Sequence, residues 1–316
     1  MIQHLLAISL AIVIDRVIGD PKHLPHPVRW FGQLISFFEE RLNKNRQRKL
    51  KGIVMVLLVI AIAVFITYII ITFCYSLHPF VGIISEALLI STTIAQKSLK
   101  DAGMEVYYPL KKGDLTQART KLSHIVGRDT DQLEEGEIVR GTVETIAENT
   151  SDGITAPLFW SLIGGAPLAI FYRVVNTCDS MVGHKNEKYA AFGWASARLD
   201  DILNWIPSRI TGFLMILTKK PTKRKWRLLF RDAKKHASPN SGWCETAVAI
   251  QLGVQLGGSN TYEGVISHRA KIGEEIVPLA SHHIIESIQM MNRTIWLFFL
   301  LLWIGGICFE AAFSWF

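Results

Sequence analysis

An uncharged run of 26 residues, at positions 52–77, is the feature that most constrains the fold of this chain. A helix of about 20 apolar residues is long enough to cross the hydrocarbon core of a bilayer. Because lipid offers the backbone no hydrogen bonds, a segment that crosses it must satisfy its own polar groups as a helix. The run therefore predicts a transmembrane helix in an integral membrane protein.

Five further apolar segments accompany this run. They are residues 2–18, 79–96, 153–172, 202–218 and 294–314. Segment 153–172 is uncharged but contains adjacent glycines and two prolines, so we expect it to be broken or re-entrant, with its freed backbone groups satisfied inside the protein. The pattern predicts an all-α, multi-pass integral membrane helical protein. Residues 1–316 would form one membrane-embedded domain, with polar loop or helical subdomains at the cytoplasmic face.

The net charge of +7 is concentrated in two runs. Residues 41–51 hold six Lys or Arg and no acid, and residues 219–235 hold nine against the single acid Asp232. Nucleic-acid binding is one explanation of such runs. Each run adjoins an apolar segment, however, and positive charge in that position more often fixes topology and contacts anionic headgroups. We therefore expect a cell-membrane protein with both runs in the cytoplasm and no nucleic-acid partner.

The cysteines and the N-terminus carry little further signal. The four cysteines lie far apart and form no CxxC pair, which indicates neither a zinc knuckle nor a disulfide framework. Residues 2–18 lack the basic start and the small-residue cleavage site of a secretory signal peptide. We therefore expect this segment to be retained.

A first polar group follows segment 2–18. It contains Asp15, Asp20, His26 and Arg29, and a glycine and a proline on either side of Asp20 favour a turn there. These charges either form a polar pocket at the membrane surface or pair with one another and with lipid in an ordinary interfacial loop.

Three acids precede segment 153–172 at helical spacing. Glu144, Glu148 and Asp152 are four residues apart, so they lie close to one helix face. Like charges on neighbouring turns repel unless a cation lies between them, and carboxylates with the Asn149 amide offer the hard oxygen ligands of a divalent cation. The alternative is a solvated acidic face. The adjoining membrane segment favours a site, because carboxylates are harder to hydrate there.

Residues 173–187 mix cationic, amide and acidic side chains. Arg173 suits bidentate contacts to oxyanions and Lys185 suits phosphate, and Asn176, Asp179 and Asn186 accompany them. The chain nevertheless contains no phosphate-binding loop of the G-x-x-x-x-G-K-[ST] type.

A fourth polar group opens segment 202–218. Asp200 and Asn204 share a helix face, and Arg198 can reach Asp201. An acid pair beside a membrane segment is a reasonable Mg²⁺ site, but adjacent aspartates diverge by about 100° on a helix, so only one is expected to bind the ion directly. Arg209 lies inside the apolar run and must pair or line a polar cavity.

The last polar group contains Arg231, His236 and Asn240. The turn residues around Asn240 predict a helix start, with Ser238 or Ser241 as its N-cap. A further tight loop is expected within residues 256–264. His282 and His283 are adjacent in the sequence, so they do not share a helix face and are not expected to bind a metal.

Five motifs stand in one order along the chain. They read D-x-x-x-G-D-P with H-P-V; A-E-N-x-S-D-G with P-L-F-W; Y-R-x-x-N-T-x-D-S-M-x-G-x-K-N; F-G-x-x-S-A-R-x-D-D-x-x-N-x-x-P-x-R; and R-D-A with S-P-N-S-G. In this order they resemble the CobD/CbiB family, the adenosylcobinamide-phosphate synthases, over residues 10–280. Cys178 and His184 depart from the Leu and Tyr usual in that family, which bears on the shape of the pocket and not on its charge.

The resemblance implies a membrane enzyme of cobalamin biosynthesis. It would join the f propionate of adenosylcobyric acid to (R)-1-amino-2-propanol O-phosphate, or to a related amino alcohol, in an ATP-dependent ligase reaction that uses Mg²⁺. Its partners would be these two substrates, the lipid bilayer and enzymes of later steps in cobalamin assembly.

Residue type, together with this resemblance, assigns the candidate site. The predicted catalytic residues are Glu144, Glu148, Asp152, Asp179, His26 and His236, the two histidines as candidate general bases. The predicted substrate- and phosphate-binding residues are Asp15, Asp20, Arg29, Asn149, Arg173, Asn176, Lys185, Asn186, Arg198, Asn204, Arg209, Arg231 and Asn240. The predicted Mg²⁺ ligands are Glu148, Asp152, Asp200 and Asp201.

Two other functions fit part of the pattern. A transporter of a corrinoid or an organic anion also has broken apolar segments and intramembrane charges, but the sequence contains no inverted repeat and its polar stretches are long. A structural scaffold would not require so many ionisable groups where the chain enters the membrane. The sequence therefore favours an enzyme.

The expected topology can be tested by cysteine labelling. If segment 153–172 is re-entrant, residues 180–190 lie on the same side of the membrane as the two basic runs. Single cysteines introduced there into a cysteine-free chain should react with a membrane-impermeant maleimide only from the cytoplasmic side. Labelling of these positions from outside alone would contradict the re-entrant arrangement.

Overall fold

The computed structural model describes residues 1–20, 26–184 and 186–313, and its regular structure is helical apart from one β-hairpin. The helices are α1 (Ile2–Val17), α2 (Pro27–Leu42), α3 (Arg48–Leu77), α4 (Pro79–Ser91), α5 (Gln96–Lys111), α6 (Leu115–Ser123), α7 (Glu135–Thr150), α8 (Ala156–Val182), α9 (Trp194–Leu203), α10 (Trp205–Leu217), α11 (Lys223–Asp232), α12 (Ser241–Leu252) and α13 (His282–Phe313). A π-helical turn, Ser151–Thr155, precedes α8, and a 3₁₀ turn, Ala233–Lys235, follows α11. The hairpin consists of β1 (Leu256–Tyr262) and β2 (Val265–Ile272).

Among the described residues, four helical segments are long and apolar enough to cross a membrane. They are Arg48–Leu77, Pro79–Lys111, Glu135–Val182 and His282–Ala312. Large apolar side chains lie exposed along α3, among them Leu57, Phe65 and Phe73, as lipid contact requires. The predicted all-α, multi-pass membrane fold is confirmed. The segments predicted at 2–18 and 202–218 form the shorter helices α1 and α10, and the number of crossings stays a prediction.

The chain divides into two compact units. The first contains Met1–Lys97, Asp152–Asn204 and the described residues from Phe299 onwards, and the second contains Ser98–Ser151 and Trp205–Phe298. In the first unit α3 packs against α2, α4, α8 and α9. Its core includes Met55, Val59 and Phe192, all fully buried.

The Glu86 carboxylate, in the apolar helix α4, accepts a backbone hydrogen bond where α8 is interrupted. Gly164 and Gly165 leave the helical conformation, Gly165 with φ +63°, inside the range predicted to be broken or re-entrant. The freed Ala166 N–H donates to Glu86 Oε1 at 3.1 Å. His4 Nδ1 lies 2.8 Å from the same oxygen, and the Tyr75 hydroxyl donates to Glu86 Oε2 at 2.6 Å. The buried acid of α4 is therefore fully partnered, as a low-dielectric site demands.

The second unit is built around α12, whose side chains are almost all buried. This helix packs against α7, α10 and α11 and contacts both strands of the hairpin. Glu263 and Gly264 form the hairpin turn with positive φ, so the predicted tight loop exists at this point. The residues around Leu256, expected in the same loop, instead begin β1, with a register irregularity between Leu256 and Gly258.

Helix starts follow local chemistry in two cases. The Asp114 side chain accepts a hydrogen bond from Gln117 N at 2.9 Å and caps α6. At α12 the N-cap position is Asn240, and the hydroxyl of Ser238 accepts from Asn240 N at 3.2 Å and Ser241 N at 3.3 Å. The predicted Ser238 thus provides the acceptor without occupying the N-cap position, because Pro239 and Asn240 turn the chain back over it.

Asp232 is a buried acid that joins α11 to the hairpin. Arg231 donates to it from Nε and Nη2, both at 2.8 Å, and Lys235 Nζ lies 2.6 Å away. Its Oδ2 also accepts from Gly273 N at 3.2 Å. Burial alone would raise the pKa of Asp232, but the hydrogen bonds from Arg231 and Lys235 outweigh it and hold the pKa below its usual value.

Gly165→Ala should destabilise the chain. A Cβ at this position would overlap the Glu86 carboxylate and meet the His4 ring, and positive φ costs a non-glycine residue about 1–3 kcal/mol by itself. Gly305→Ala is the matched control, because a Cβ there meets open space in a helix. Thermal unfolding in detergent should show a lower midpoint for Gly165→Ala only. Equal midpoints for the two variants would contradict the role of the break.

Asp232→Asn should cost stability in a pH-dependent manner. The change weakens the hydrogen bonds that Arg231, Lys235 and Gly273 N donate to a charged acceptor, and such bonds contribute about 1.5–3 kcal/mol. The pKa of Asp232 in the folded chain is depressed. The ionised carboxylate should therefore add to the free energy of unfolding of the wild type at pH 5–7, and this contribution should be lost as the pH falls below about 3.9. The thermal unfolding midpoints of the wild type and of Asp232→Asn should therefore differ at pH 7 and converge as the pH is lowered to 3. Glu105→Gln, which removes an exposed pair with Lys121, should shift the midpoint little at any pH.

Candidate functional site

The predicted site residues fall into both units. Those of the first unit are Asp15, Asp20, His26, Arg29, Asp152, Arg173, Asn176, Asp179, Asn186, Arg198, Asp200, Asp201 and Asn204. Those of the second unit are Glu144, Glu148, Asn149, Arg209, Arg231, His236 and Asn240. Lys185 lies outside the described residues.

A polar network joins α8 to α9 within the first unit, with Asp200 at its centre. Asn176 Nδ2 donates to Asp200 Oδ1 at 3.2 Å, and Asn204 Nδ2 donates to Asp200 Oδ2 at 3.0 Å. The carbonyl oxygen of each side-chain amide also has a hydrogen-bond donor nearby. Arg173 Nη1 lies 3.3 Å from Asn176 Oδ1, and the Tyr172 hydroxyl lies 2.8 Å from Asn204 Oδ1.

Helical spacing explains why these side chains meet. Residues 172, 173 and 176 lie on neighbouring turns of α8, and Asp200 and Asn204 are four residues apart at the end of α9. The two helices pack against each other. Asp152 is also close, since the Tyr172 hydroxyl lies 3.1 Å from its carbonyl oxygen. We call Asp152, Tyr172, Arg173, Asn176, Asp200 and Asn204 the α8–α9 site.

Asp200 is a buried acid held by neutral donors. It is 9% exposed, and within the described ranges no Lys, Arg or His forms an ion pair with it. The pKa of Asp200 is raised to about 6, because burial and the charge of Asp201 together outweigh the two amide hydrogen bonds, which lower it. The carboxylate is therefore oriented but not neutralised, and it favours a cationic ligand.

Arg173 brings positive charge to the same site. Its guanidinium interacts electrostatically with both Asp20 and Asp152. Asp20 Oδ1 in turn lies 3.0 Å from His26 Nε2. The first and third predicted polar groups are thus linked through Arg173.

Other predicted residues of the first unit have local roles. Asp15 accepts from Gln96 N at 3.1 Å and Lys97 N at 3.3 Å, so it caps the start of α5. Asn186 caps the turn at Tyr189 through a 3.0 Å bond. Asp201 is half-exposed and lies 3.9 Å from Arg198. It diverges from the buried Asp200, as the sequence predicts for adjacent aspartates.

Glu144 is committed to an ion pair within the second unit. Arg128 donates to its Oε2, and Gly257 N donates to its Oε1 at 2.9 Å. Arg128 and Arg140 both donate to Asn260 Oδ1, at 2.7 and 3.0 Å. These contacts fix β1 to α7, so the geometry favours a structural role for Glu144.

Glu245 is a second buried acid that sequence reasoning missed. It lies on α12, and its Oε1 is 3.4 Å from His236 Nε2. Burial raises the pKa of Glu245 well above its usual range, and the charges of Glu148 and Glu144 add to this effect. One feature of the sequence could have indicated its burial: Glu245 is the single charged residue between positions 237 and 262.

His236 makes its hydrogen bonds through one ring nitrogen, Nδ1. Its Nδ1 accepts from Ser238 N at 3.1 Å and lies 3.1 Å from the Ser241 hydroxyl, while Nε2 faces Glu245. Burial lowers the pKa of His236, which favours the neutral ring. Its role as a general base stays a prediction.

The remaining cations and amides of the second unit are engaged locally. Arg209 Nη1 donates to the Trp205 carbonyl at 2.6 Å, and its guanidinium stacks over Trp205 and Trp243 at 4.2 and 5.1 Å from the ring centres. Asn240 Oδ1 lies 3.5 Å from the Ser208 hydroxyl. Arg231 pairs with Asp232 as described above. Glu148 interacts with Glu245, and Asn149 donates to the Thr145 carbonyl at 3.0 Å.

The described residues contain no group of three or more His, Cys, Asp or Glu side chains at metal-ligand spacing. A closed protein cage for a metal is therefore missing from this part of the chain. Mg²⁺ seldom needs one, because it is usually bound by one or two carboxylates together with water and substrate phosphates.

Comparison with known proteins identifies relatives over nearly the whole length. The family model described as CobD/Cbib protein matches residues 8–291. A cobalamin biosynthesis protein CobD of Halalkalibacterium halodurans is 54% identical over 308 residues, which cover 96% of this chain and 97% of the relative.

Two further relatives are less similar but are matched over almost the same length. A cobalamin biosynthesis protein CobD of Klebsiella pneumoniae is 44% identical, and a cobalamin biosynthesis protein CbiB of Salmonella typhimurium is 43% identical, each over 91% of this chain and 92% of the relative. No solved structure matches the chain. The chain therefore belongs to the CobD/CbiB family of cobalamin biosynthesis proteins.

Proposed function

We propose that this chain is an ATP-dependent C–N ligase that forms an amide between adenosylcobyric acid, through its f propionate, and (R)-1-amino-2-propanol O-phosphate or a related amino alcohol. The product would be adenosylcobinamide phosphate. Membership of a cobalamin biosynthesis family supports the pathway. The α8–α9 site supports the chemistry, and the observation that carries the proposal is Asp200, a buried carboxylate that two amides orient and that pairs with no cation among the described residues.

The reaction requires activation of the acid. A carboxylate and an ammonium group do not condense in water, so the propionate oxygen would first take the γ-phosphoryl group of ATP, with ADP as the leaving group. The amine nitrogen would then attack the acyl carbon, and the C–O bond to phosphate would break. Catalysis rests on neutralising phosphate charge, positioning the amine and excluding water.

Asp200 suits the amine half of this reaction. The sequence predicts Asp200 as a Mg²⁺ ligand, and the geometry of its carboxylate also suits an ammonium group. Each of its oxygens accepts one amide N–H and keeps a further lone pair that can accept from a cation. In our proposal it binds the substrate ammonium and takes the proton that the nitrogen must lose before it attacks.

Arg173 and Asp152 suit the phosphate half. The guanidinium of Arg173 would bind the phosphate oxyanions. The donor set fits Mg²⁺ held by Asp152 together with substrate phosphates, and the ion, when bound, would neutralise phosphate charge. The predicted roles of Arg29, Lys185 and His26 extend this half of the site and stay predictions.

A mass-spectrometric assay tests the function directly. Detergent-solubilised chain, given adenosylcobyric acid, aminopropanol phosphate, ATP and Mg²⁺, should yield a corrinoid heavier by aminopropanol phosphate minus water. Omission of ATP or Mg²⁺ should abolish this product. If the chain binds the corrinoid but forms no product with any amino alcohol, the transporter explanation would replace the enzyme.

Two conservative substitutions should separate the proposed roles. Asp200→Asn should raise KM for the amino alcohol and lower kcat/KM roughly 100-fold or more, whereas Asp152→Asn should raise the Mg²⁺ concentration required for half-maximal rate. Glu40→Gln, on an exposed part of α2, is the control and should match the wild type. Full turnover in both Asp200→Ala and Glu148→Ala would refute the predicted use of these acids.

A further inference from the structure

The exposed side of α11 carries cations that form no ion pair with any acid in the described part of the chain. Lys223 and Arg227 are exposed and one helical turn apart, and Lys234 is exposed in the following 3₁₀ turn. Within the described ranges none of the three forms an ion pair, whereas Arg224, Arg231 and Lys235 all do. We call Lys223, Arg227 and Lys234 the α11 basic face.

An apolar surface of the same unit adjoins the α11 basic face. Phe213 of α10 packs edge-on against Trp226 and at a tilt against Phe230, with ring centres 5.6 and 5.8 Å apart. Phe230 remains 47% exposed, and α10 also exposes Trp205 and Leu217. Aromatic rings beside lysine and arginine are typical of a membrane–water interface.

The length of α10 fits an interfacial position. Its 13 residues extend about 20 Å at 1.5 Å per residue, which is less than the ~30 Å of the hydrocarbon core. An exposed apolar helix too short to cross alone, packed against a cationic helix, can bury its apolar side at the acyl boundary. The cations of α11 then lie at the depth of the headgroups.

We propose that the α11 basic face binds the phosphate groups of anionic phospholipids. Charge complementarity supports an anion, and the adjoining aliphatic and aromatic exposure favours a lipid over a nucleic acid, because Ile206 and Leu217 would stay in water beside a polynucleotide. The face contains no residue of the proposed active site, so the proposal stands apart from the ligase function.

Native mass spectrometry of the full chain tests this proposal. The protein in mild detergent would be titrated with an equimolar mixture of phosphatidylglycerol and phosphatidylcholine. The wild type should retain phosphatidylglycerol preferentially, and retention should fall as salt rises. In K223Q/R227Q/K234Q the affinity should fall by about fivefold for each cation removed.

Two matched variants control for total charge and for folding. K100Q/K112Q/K121Q removes three lysines on or next to α5 and α6 of the same unit and should behave as the wild type. K223R/K234R keeps the charge of the face and should also retain the lipid. If the triple variant of the face does not fold, the three single substitutions carry the test, each with about a fivefold loss.

Three results would overturn the proposal. One is unchanged phosphatidylglycerol retention in the α11 variants, and another is equal retention of the two lipids by the wild type. The third is tight binding of a short single-stranded RNA at physiological salt that is lost in K223Q/R227Q/K234Q, which would assign the face to nucleic acid.

Discussion

The requirement that polar groups inside a membrane protein find partners within the chain governs the first unit. Two consecutive glycines interrupt α8 and free the N–H of Ala166. In hydrocarbon such a break would cost several kcal/mol for each unsatisfied group. Glu86 provides the acceptor, and His4 and Tyr75 complete the hydrogen bonds of its carboxylate. The break is thus compatible with an apolar environment because an acid on a neighbouring helix meets it.

The same requirement distinguishes acids that hold the fold together from an acid that can bind a ligand. Glu86, Asp232 and Glu144 each receive donors that carry charge or that complete their coordination, and each fixes one element to another. Among the described residues Asp200 receives hydrogen bonds from neutral amides alone, and its pKa is raised to about 6, chiefly by burial. A buried carboxylate in that state is costly unless something cationic binds. This contrast, more than the number of acids nearby, distinguishes the α8–α9 site.

Local features of the chain were predictable from sequence, and long-range pairings were not. The apolar run 52–77 lies within α3, the cap at Asp114 forms, and the Asp200 and Asp201 side chains diverge, because each depends on neighbours within a few residues. The bond from Tyr172 to Asn204 joins residues 32 positions apart. The pairing of Arg128 with Glu144 depends on how the loop before α7 folds back, which helical spacing does not specify.

The hairpin and the burial of Glu245 were not predicted, because the sequence around each more strongly indicates a different structure. The hairpin begins at a pair of glycines that favour a loop by composition, and it forms because Arg140 and Glu144 bind the backbone at Gly257. Glu245 stands alone in an apolar helix, where an acid is usually a tolerated surface residue. Its burial between His236 and the acids of α7 depends on α12 being enclosed by α7, α10 and α11. The position of an acid relative to packed helices, which only the fold supplies, therefore decides whether it serves structure or ligand.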